Sequence, residues 1–342
     1  INIENPAGLT GLESKRLLTE LSIFLKNESY TSGGSSNQAF TGSFSALMLG
    51  CRVIPRWYTA VSLTPYSSVG YYFQSSQPVE GNPHENYDAA FTGSGGISKV
   101  TWSNAYLLSQ HWSLGMNISY LFGNIVLSEQ QSDLIVDRKM HARSLYANLG
   151  VQYHRTLNHD LSYTLGAVYG YRQKLDITNA KYIVNGNAYE KKKQRSQKQS
   201  LPQYFGIGGC LQYKKWTYAL DYAFQQYSSL TSTDSRIEFR DVNECRIGVC
   251  YFPNGYSSDS FWKQVAYKTG INISSSYMTI NGNTGFSLRF NAGLSLPVFR
   301  GRIDTSIFYD RMQLKKGTLN RDVIGATVSF TLGEIFYHSK LK

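Results

Sequence analysis

The sequence predicts an all-β protein: a single antiparallel transmembrane β-barrel of about 14 strands, with an N-terminal hatch segment. Three observations lead to this fold class. Apolar and polar residues alternate with the strand period of two along most of the chain. Many alternating runs reach the ~9 to 11 residues that a tilted strand needs to cross a bilayer. Aromatic residues make up 14% of the 342 residues, and no apolar run is long enough for a spanning helix.

The alternation divides the chain into fourteen predicted strands. In the run 285–298, for example, Phe286 and Leu288 share one face, while Ser287 and Arg289 lie on the other. The predicted strands are 16–31, 41–54, 57–78, 88–108, 111–130, 137–157, 160–180, 202–214, 215–229, 236–252, 262–281, 284–298, 302–315 and 320–337.

The predicted connections between these strands fall into two classes. Those after strands two, four, six, eight and twelve are tight and the one after strand ten is moderate, whereas 32–38, 75–86 and 185–199 are predicted to be long loops. Short periplasmic turns and longer extracellular loops are typical of bacterial outer-membrane barrels. The outer membrane is therefore the predicted location. The non-alternating residues 1–15 are predicted to form a hatch inside a barrel of residues 16–342.

Export and cysteine usage fit this location. No basic and apolar leader precedes the opening INIENPAGL; such leaders are removed on export, and we expect the sequence to be that of the mature chain. The four cysteines show no CxxC spacing, so no metal site is predicted. Cys245 and Cys250 fall on opposite faces of a regular strand, and a local disulfide between them would need a bulge or a turn.

Four of the five tryptophans are predicted to form an aromatic belt at one rim. Trp57, Trp112, Trp216 and Trp262 each lie at or just past a connection of the shorter class. Indole rings favour the headgroup level of a membrane, where the apolar body and the N–H are both accommodated. The alternative is a large soluble β-sandwich or propeller with ordinary core aromatics. Long period-two runs and a one-ended tryptophan set favour the membrane barrel.

The third predicted strand is interrupted at its centre. The stretch TPYSSVG places Pro65, Tyr66, Ser67, Ser68 and Gly70 between two alternating runs. Proline cannot donate to a sheet ladder, and glycine weakens one. A kink here would remove ladder bonds and open a side passage, whereas a simple bulge would only adjust the curvature. Because a barrel of this width is not filled by its own side chains, the hatch or the passage is predicted to gate the lumen.

These features resemble the long-chain fatty-acid transporter (FadL-like) family. The resemblance is carried by NPAGL, which contains Asn5, Pro6, Ala7 and Gly8, by the number of strands and by the broken third strand. It implies that the N-terminal segment is a hatch inside the barrel. It also implies that the kink is a lateral opening for hydrophobic ligands, so that a hydrophobic molecule or detergent would occupy the lumen.

Four longer stretches resemble a Bacteroidetes branch of these barrels: PYSSVGYYF, GSGGISKVTWSNAYLL, WSLGMNISYLFG and FTLGEIFYHSKLK. That branch includes the Plug component of the type IX secretion translocon. The resemblance implies a non-catalytic protein that associates with the large translocon barrel and closes its pore. The alternative is a passive transporter of hydrophobic small molecules through the kinked third strand.

The predicted inward faces of the strands are polar. They carry Asn117, Asn148, His154, Asp221, Arg246, Arg289 and Asp304. These side chains would hydrate a channel or anchor a hatch, and a purely lipidic conduit would need more apolar inward positions. No spacing of serine, histidine and acid marks a catalytic triad. The sequence therefore predicts no enzyme, no cofactor and no metal, with His154 as a satisfied polar wall residue.

The net charge of +11 is not spread evenly, and one predicted outer loop carries a run of basic residues. Lys191, Lys192, Lys193, Arg195 and Lys198 lie together in KKKQRSQK. Such a run is usually a solvated loop, and its functional interpretation is attraction to membrane lipid and anionic lipopolysaccharide headgroups. Nucleic-acid binding is not predicted, because the run lacks a reading element.

Overall fold

The protein forms one antiparallel sheet that closes into a cylinder. The computed structural model describes residues 1–32, 35–79, 82–131, 134–185, 188–193, 196–230, 237–253, 260–280, 282–298, 300–314 and 320–335. Closure follows from the pairing of β1 (Arg16–Ser32) with both β2 (Ser35–Ile54) and β19 (Asn320–Ile335). The predicted all-β fold and the barrel of fourteen wall strands are confirmed.

The remaining elements follow in chain order. They are a 3-10 helix (Pro6–Gly11), β3 (Trp57–Val79), β4 (Asn82–Leu107), β5 (Trp112–Gln131), β6 (Leu134–Asn158), β7 (Leu161–Gly170), β8 (Lys174–Asn185), β9 (Ala188–Lys193), β10 (Gln197–Ser200), β11 (Gln203–Tyr213), β12 (Trp216–Gln226), β13 (Ile237–Phe239), β14 (Val242–Tyr251), α1 (Phe261–Gln264), β15 (Ala266–Ser275), β16 (Met278–Ile280), β17 (Gly285–Val298) and β18 (Gly301–Leu314). No helix in the described part of the chain is long and apolar enough to cross a membrane.

Two wall strands are built from several segments. β7 and β8 pair with the two ends of β6, and β11 and β10 continue the wall beside them. Between β7 and β8 the Gln173 side chain replaces a strand partner: Nε2 donates to the carbonyl of Ala147 at 3.1 Å, and Oε1 accepts from its N–H at 3.2 Å. The wall therefore stays closed across this interruption. β13 and β16 form a separate two-stranded sheet.

The two faces of the cylinder differ as the alternation predicts. On β5, Trp112, Leu114 and Tyr120 are exposed, whereas the intervening Ser113 and Asn117 are buried. Because the sheet is closed, the exposed apolar face is the outer one, where it meets lipid. Cross-strand partners share a face, so the pairing registers assign the inward positions of every wall strand.

The inner ends of the strands lie where the sequence predicts them. β3, β12 and β18 begin at Trp57, Trp216 and Gly301, each within one residue of its predicted start. The turns before them hold residues at positive φ, namely Arg56 (77°), Lys214 (53°) and Arg300 (59°). Tight hairpin turns require such angles to match the strand twist.

The outer ends correct the prediction. The predicted loops 32–38 and 75–86 lie largely in β1–β4, and much of 185–199 lies in β9 and β10. Above the membrane both faces meet water, so the apolar alternation fades while the hydrogen-bond ladder continues. Trp262 also differs from the prediction, because it lies in α1 and the adjoining strand begins only at Ala266.

Candidate functional site

The N-terminal segment packs on the inward face of the wall. Asn5 caps its 3-10 helix by accepting from the N–H of Ala7 at 3.1 Å, and Asn5 Nδ2 donates to the carbonyl of Val151 at 3.2 Å. Asn117 Nδ2 donates to the carbonyl of Ile3 at 2.8 Å. The segment and the wall thus donate side-chain hydrogen bonds to each other's backbone carbonyl groups.

Glycines on three neighbouring strands make room for this segment. A Cβ on Gly115 would lie 2.3 Å from the Ala7 nitrogen, and one on Gly150 would lie 2.2 Å from Asn5 Oδ1. On Gly166 it would lie 2.7 Å from Asn5 Nδ2. The close approach of the helix to β5, β6 and β7 therefore depends on missing side chains.

An apolar cluster seats the end of the helix. Leu9 is fully buried and packs with Tyr58, Ala60 and Ala105, and Leu12 contacts the same cluster. Burying a leucine side chain contributes about 2 kcal/mol. Together with the glycine contacts, this cluster fixes the segment against β3–β6.

A charged network ties the segment to the opposite wall. Arg246 on β14 donates from Nη1 to Glu4 at 2.9 Å, and from Nε and Nη2 to Glu244 at 2.9 and 3.0 Å. Asn272 holds Glu244 at 2.7 Å. Asp221 joins these groups around a cavity of about 260 Å³.

Further ion pairs line the inward faces of β15, β17 and β18. Asp310 is almost fully buried and accepts from Arg289 Nη2 at 2.7 Å. Asp304 accepts from Lys268 at 2.5 Å and from Arg302 at 2.9 Å. This side of the lumen is therefore strongly polar and internally charge-paired.

The wall has a lateral gap between β2 and β3. Their ladder runs from the pair Ile54–Trp57 to the pair Leu47–Leu63, and it does not resume in the described residues of either strand. Beyond this point β2 pairs with β1, and β3 pairs with β4. Two strand edges therefore diverge from the level of Leu63 to the outer rim.

A bulge on β3 lies at the start of this gap. Pro65 pairs with Ser98 and Ser67 with Ile97, which leaves Tyr66 as the extra residue. One added residue moves every later side chain to the other face.

The bulge consequently turns the apolar residues of outer β3 inward. Val61 pairs with the outward Trp102, whereas Tyr71 and Phe73 pair with the inward Gly93 and Phe91. The rings of Phe73 and Phe91 stack with centroids 4.9 Å apart. The sequence predicts two alternating runs on either side of the interruption, with Val61 and Leu63 in the first and Val69, Tyr71 and Phe73 in the second; the structure gives the two runs opposite faces.

The inward face beside the gap is apolar. Ile97, Leu121, Ala142, Leu175 and Leu201 form one buried cluster across β4, β5, β6, β8 and the residue after β10. Ile97 is the direct partner of Ser67, which follows the bulge residue Tyr66. The lumen thus has an apolar side at the gap and a charged side opposite to it.

The predicted site residues fall into four separate places. Asn5, Pro6, Ala7 and Gly8 meet the wall near Asn117 and Asn148, which are cross-strand partners, and Asp221 and Arg246 surround the adjoining cavity. Pro65, Tyr66, Ser67, Ser68 and Gly70 border the gap, and Arg289 and Asp304 line the charged side. His154 faces inward near the inner rim, with Nδ1 2.9 Å from Thr164 Oγ1. Trp57, Trp112 and Trp216 are exposed at inner strand ends.

Sequence reasoning missed several residues of this site. Glu4 and Glu244 complete the Arg246 network, and Gly115 and Gly150 are direct cross-strand partners beneath the helix. The alternation places both glycines on the inward faces of adjacent predicted strands, and this pattern could have identified them as neighbours of the hatch. The end of the β2 ladder at Leu47 had no comparable signal.

The remaining candidate ligand side chains are the histidines, the acidic residues and the cysteines. Within the ranges that the structure covers, no three His, Cys, Asp or Glu side chains come together in a group that could hold a metal ion. All four cysteines, Cys51, Cys210, Cys245 and Cys250, are free thiols.

Comparison with known proteins places this architecture. The model of the BamG family matches residues 1–335, and no curated protein sequence matches the chain. Among solved structures, the Pseudomonas putida toluene transporter TodX has a TM-score of 0.63 at 14% identity, covering 96% of this chain and 92% of its own. The CymD monoaromatic hydrocarbon channel scores 0.59 at 13% identity, covering 98% and 92%. A Pseudomonas aeruginosa FadL homologue scores 0.60 at 12% identity, covering 98% and 93%. At these identities the likeness establishes the FadL-like outer-membrane barrel fold.

Proposed function

This chain belongs to the BamG family, and from that premise we propose that it is a non-catalytic outer-membrane barrel that admits hydrophobic small molecules through its wall. The observation that carries the proposal is the lateral gap between β2 and β3. The bulge at Tyr66 adjoins the gap, and an apolar lumen face lies beside it.

The level of the gap suits entry from the outer leaflet. Leu63 lies six residues beyond Trp57 at the inner rim. At about 3.3 Å per residue and a tilt near 40°, this separation is roughly 15 Å of height within an apolar band about 25 Å tall. The gap therefore begins inside the membrane and opens toward its outer surface.

The chemistry of the gap also favours an aqueous or ligand-filled cavity behind it. Strand edges with unpaired N–H and C=O groups are not stable against hydrocarbon, and they occur at membrane depth where they line a cavity. Behind the gap, the inward-facing and exposed Tyr71 and Phe73 offer an apolar surface to a ligand. The ligand class that fits is a small, uncharged hydrophobic molecule.

Deleting Tyr66 tests this function. The deletion removes the extra residue and returns Tyr71 and Phe73 to the outer face. Cells that lack the native gene and express this variant are expected to take up toluene across their lipopolysaccharide-bearing membrane no faster than cells without the protein. The matched control is Gly248→Ala, an inward substitution on β14 with its nearest atom 3.9 Å away. Wild-type uptake rates in the Tyr66 deletion, with normal membrane levels of the barrel, would refute the conduit.

Association with the type IX secretion translocon, with closure of its pore, is a second candidate function. It is favoured by the resemblance of the chain to the branch that contains Plug, and by the height of the wall at β3–β6. These strands have 20 to 26 residues, far more than a bilayer crossing needs. The extra length offers a partner a large surface outside the membrane. Purification from gently solubilised membranes should then recover a very large barrel, and its consistent absence would reject this role.

A further inference from the structure

One side of the barrel carries a band of exposed cations on its outward face. Lys139, Arg143, Lys174, Lys191 and Lys198 are all exposed. Their strands, β6, β8, β9 and β10, are neighbours in the wall. These five residues are called the basic band.

The pairing registers place the basic band on the face that meets lipid. Asp176 is the cross-strand partner of both Arg143 and Lys198, so these three side chains form one row. Three outward positions higher on β8, Tyr182 is the partner of Lys191. Lys139 and Lys191 lie over the Tyr182 ring, 4.9 and 5.4 Å from its centroid. Directly opposite side chains of a sheet lie about 5 Å apart, so Arg143 and Lys198 flank Asp176 closely, and Lys139 and Lys191 converge on Tyr182 higher on the wall.

The height of the basic band corresponds to the headgroups of the outer leaflet. Leu145 is 67% exposed and belongs to the apolar band. Arg143 is the next outward residue above it, and Lys139 lies two outward positions higher. At this level the outward residues of β1 are Asn27 and Ser29, which are uncharged. In the same row as Ser29 the outward Arg311 is paired with Asp322, 3.8 Å away, so the excess of positive charge lies on the side of the basic band, at and above the level of Leu145.

We propose that the basic band binds the phosphate groups of a phosphorylated outer-leaflet glycolipid of the lipid A type. Lysine and arginine bind phosphate through charge-assisted hydrogen bonds. The acyl chains of such a lipid would lie against Leu145 and Leu149, both exposed on the same face. Five cations face two carboxylates, Asp137 and Asp176, and the excess positive charge complements a bis-phosphorylated headgroup. This site is independent of the lateral gap.

The alternation of the strands supplies a matched test. The triple variant Lys139→Gln, Arg143→Gln and Lys191→Gln removes three outward cations. The control variant Arg138→Gln, Lys181→Gln and Lys192→Gln removes three cations from β6, β8 and β9 whose side chains face the lumen. Both variants lose the same net charge, and circular dichroism in detergent checks that each retains its strand content.

Native mass spectrometry with bis-phosphorylated lipid A as the probe measures the binding. One lysine or arginine near a surface contributes about fivefold in affinity, so the outward variant is expected to bind roughly 100-fold more weakly than wild type. The control variant should bind like wild type, and added salt should weaken the wild-type complex. Equal losses in both variants, or equally tight wild-type binding of dephosphorylated lipid A, would overturn the proposal.

Discussion

Arg246 on the barrel wall and Glu4 in the N-terminal segment are joined across the lumen by a hydrogen-bonded ion pair of 2.9 Å. Arg246 is held in position by its two contacts with Glu244, so Glu4 can leave without displacing it. The pair therefore connects a removable segment to a fixed point on the opposite side. Four predictions follow from this arrangement and from the wall around it.

Glu4→Gln is expected to raise the single-channel conductance of the barrel in planar bilayers, because the segment loses its charged contact with β14. The melting temperature should barely change, since a solvent-exposed ion pair contributes at most about 1 kcal/mol. Glu13→Gln is the control, because Glu13 pairs with the nearby Arg16. Equal conductance in the two variants would show that Arg246 does not hold the segment.

Gly115→Val is expected to displace the 3-10 helix from the wall. Its Cβ would lie 2.3 and 2.4 Å from backbone atoms of Ala7 and Pro6, and backbone cannot move aside as a flexible side chain can. Protease accessibility of the N-terminal segment in detergent should increase. Gly248→Ala, which has ordinary van der Waals space, should leave the cleavage pattern unchanged; a protected segment in Gly115→Val would contradict the close contact.

Brominated lipids should quench the tryptophans at different depths. Trp57, Trp112 and Trp216 lie at the inner rim, whereas Trp102 lies opposite Val61, four residues above Trp57. Single-tryptophan variants that keep Trp57 should respond most to bromine near the headgroups. A variant that keeps Trp102 should respond most to bromine deeper in the acyl chains. If the order were reversed, the heights assigned to these tryptophans in the membrane would be wrong.

Arg289→Met is expected to lower the free energy of unfolding in detergent by roughly 2 kcal/mol, because it removes the close charged donor of the buried Asp310 and leaves the Ser287 hydroxyl and the more distant Arg321, 3.8 Å away. The control is Arg311→Gln on the outer face. Arg311 is exposed and lies 3.8 Å from Asp322, so its loss should cost less than about 1 kcal/mol. Similar losses in both variants would show that the lumen pair contributes little.

The sequence predicted those parts of the fold that the bilayer dictates. Lipid requires an unbroken apolar face, and this is why Trp112 to Phe122 could be assigned outward from alternation alone. Water outside the membrane imposes no such pattern, so the alternation predicts a loop at 75–86, where the structure has the outer ends of β3 and β4. The bulge residue Tyr66 was identified as part of an interruption, but its effect on the later side chains depends on pairing with β4.

The candidate site was less predictable for a related reason. Asn5 to Gly8 were singled out by a local motif, whereas the partners that hold them come from β5, β6 and β14, more than 100 residues away. The period-two alternation tells on which face of its strand Arg246 or Gly115 lies. It contains no information about the level of a residue in the wall or about which strand lies across the lumen.

The unequal lengths of the wall strands give the mouth of the barrel a slant. β4 has 26 residues and β14 has 10, which at about 3.3 Å per residue and a similar tilt correspond to roughly 65 Å and 25 Å of wall. On the low side the wall strands β12, β14 and β15 end near the membrane surface, and the small sheet of β13 and β16 lies in their outer connections. The wall outside the membrane is therefore concentrated on one side of the barrel, at β3 to β6.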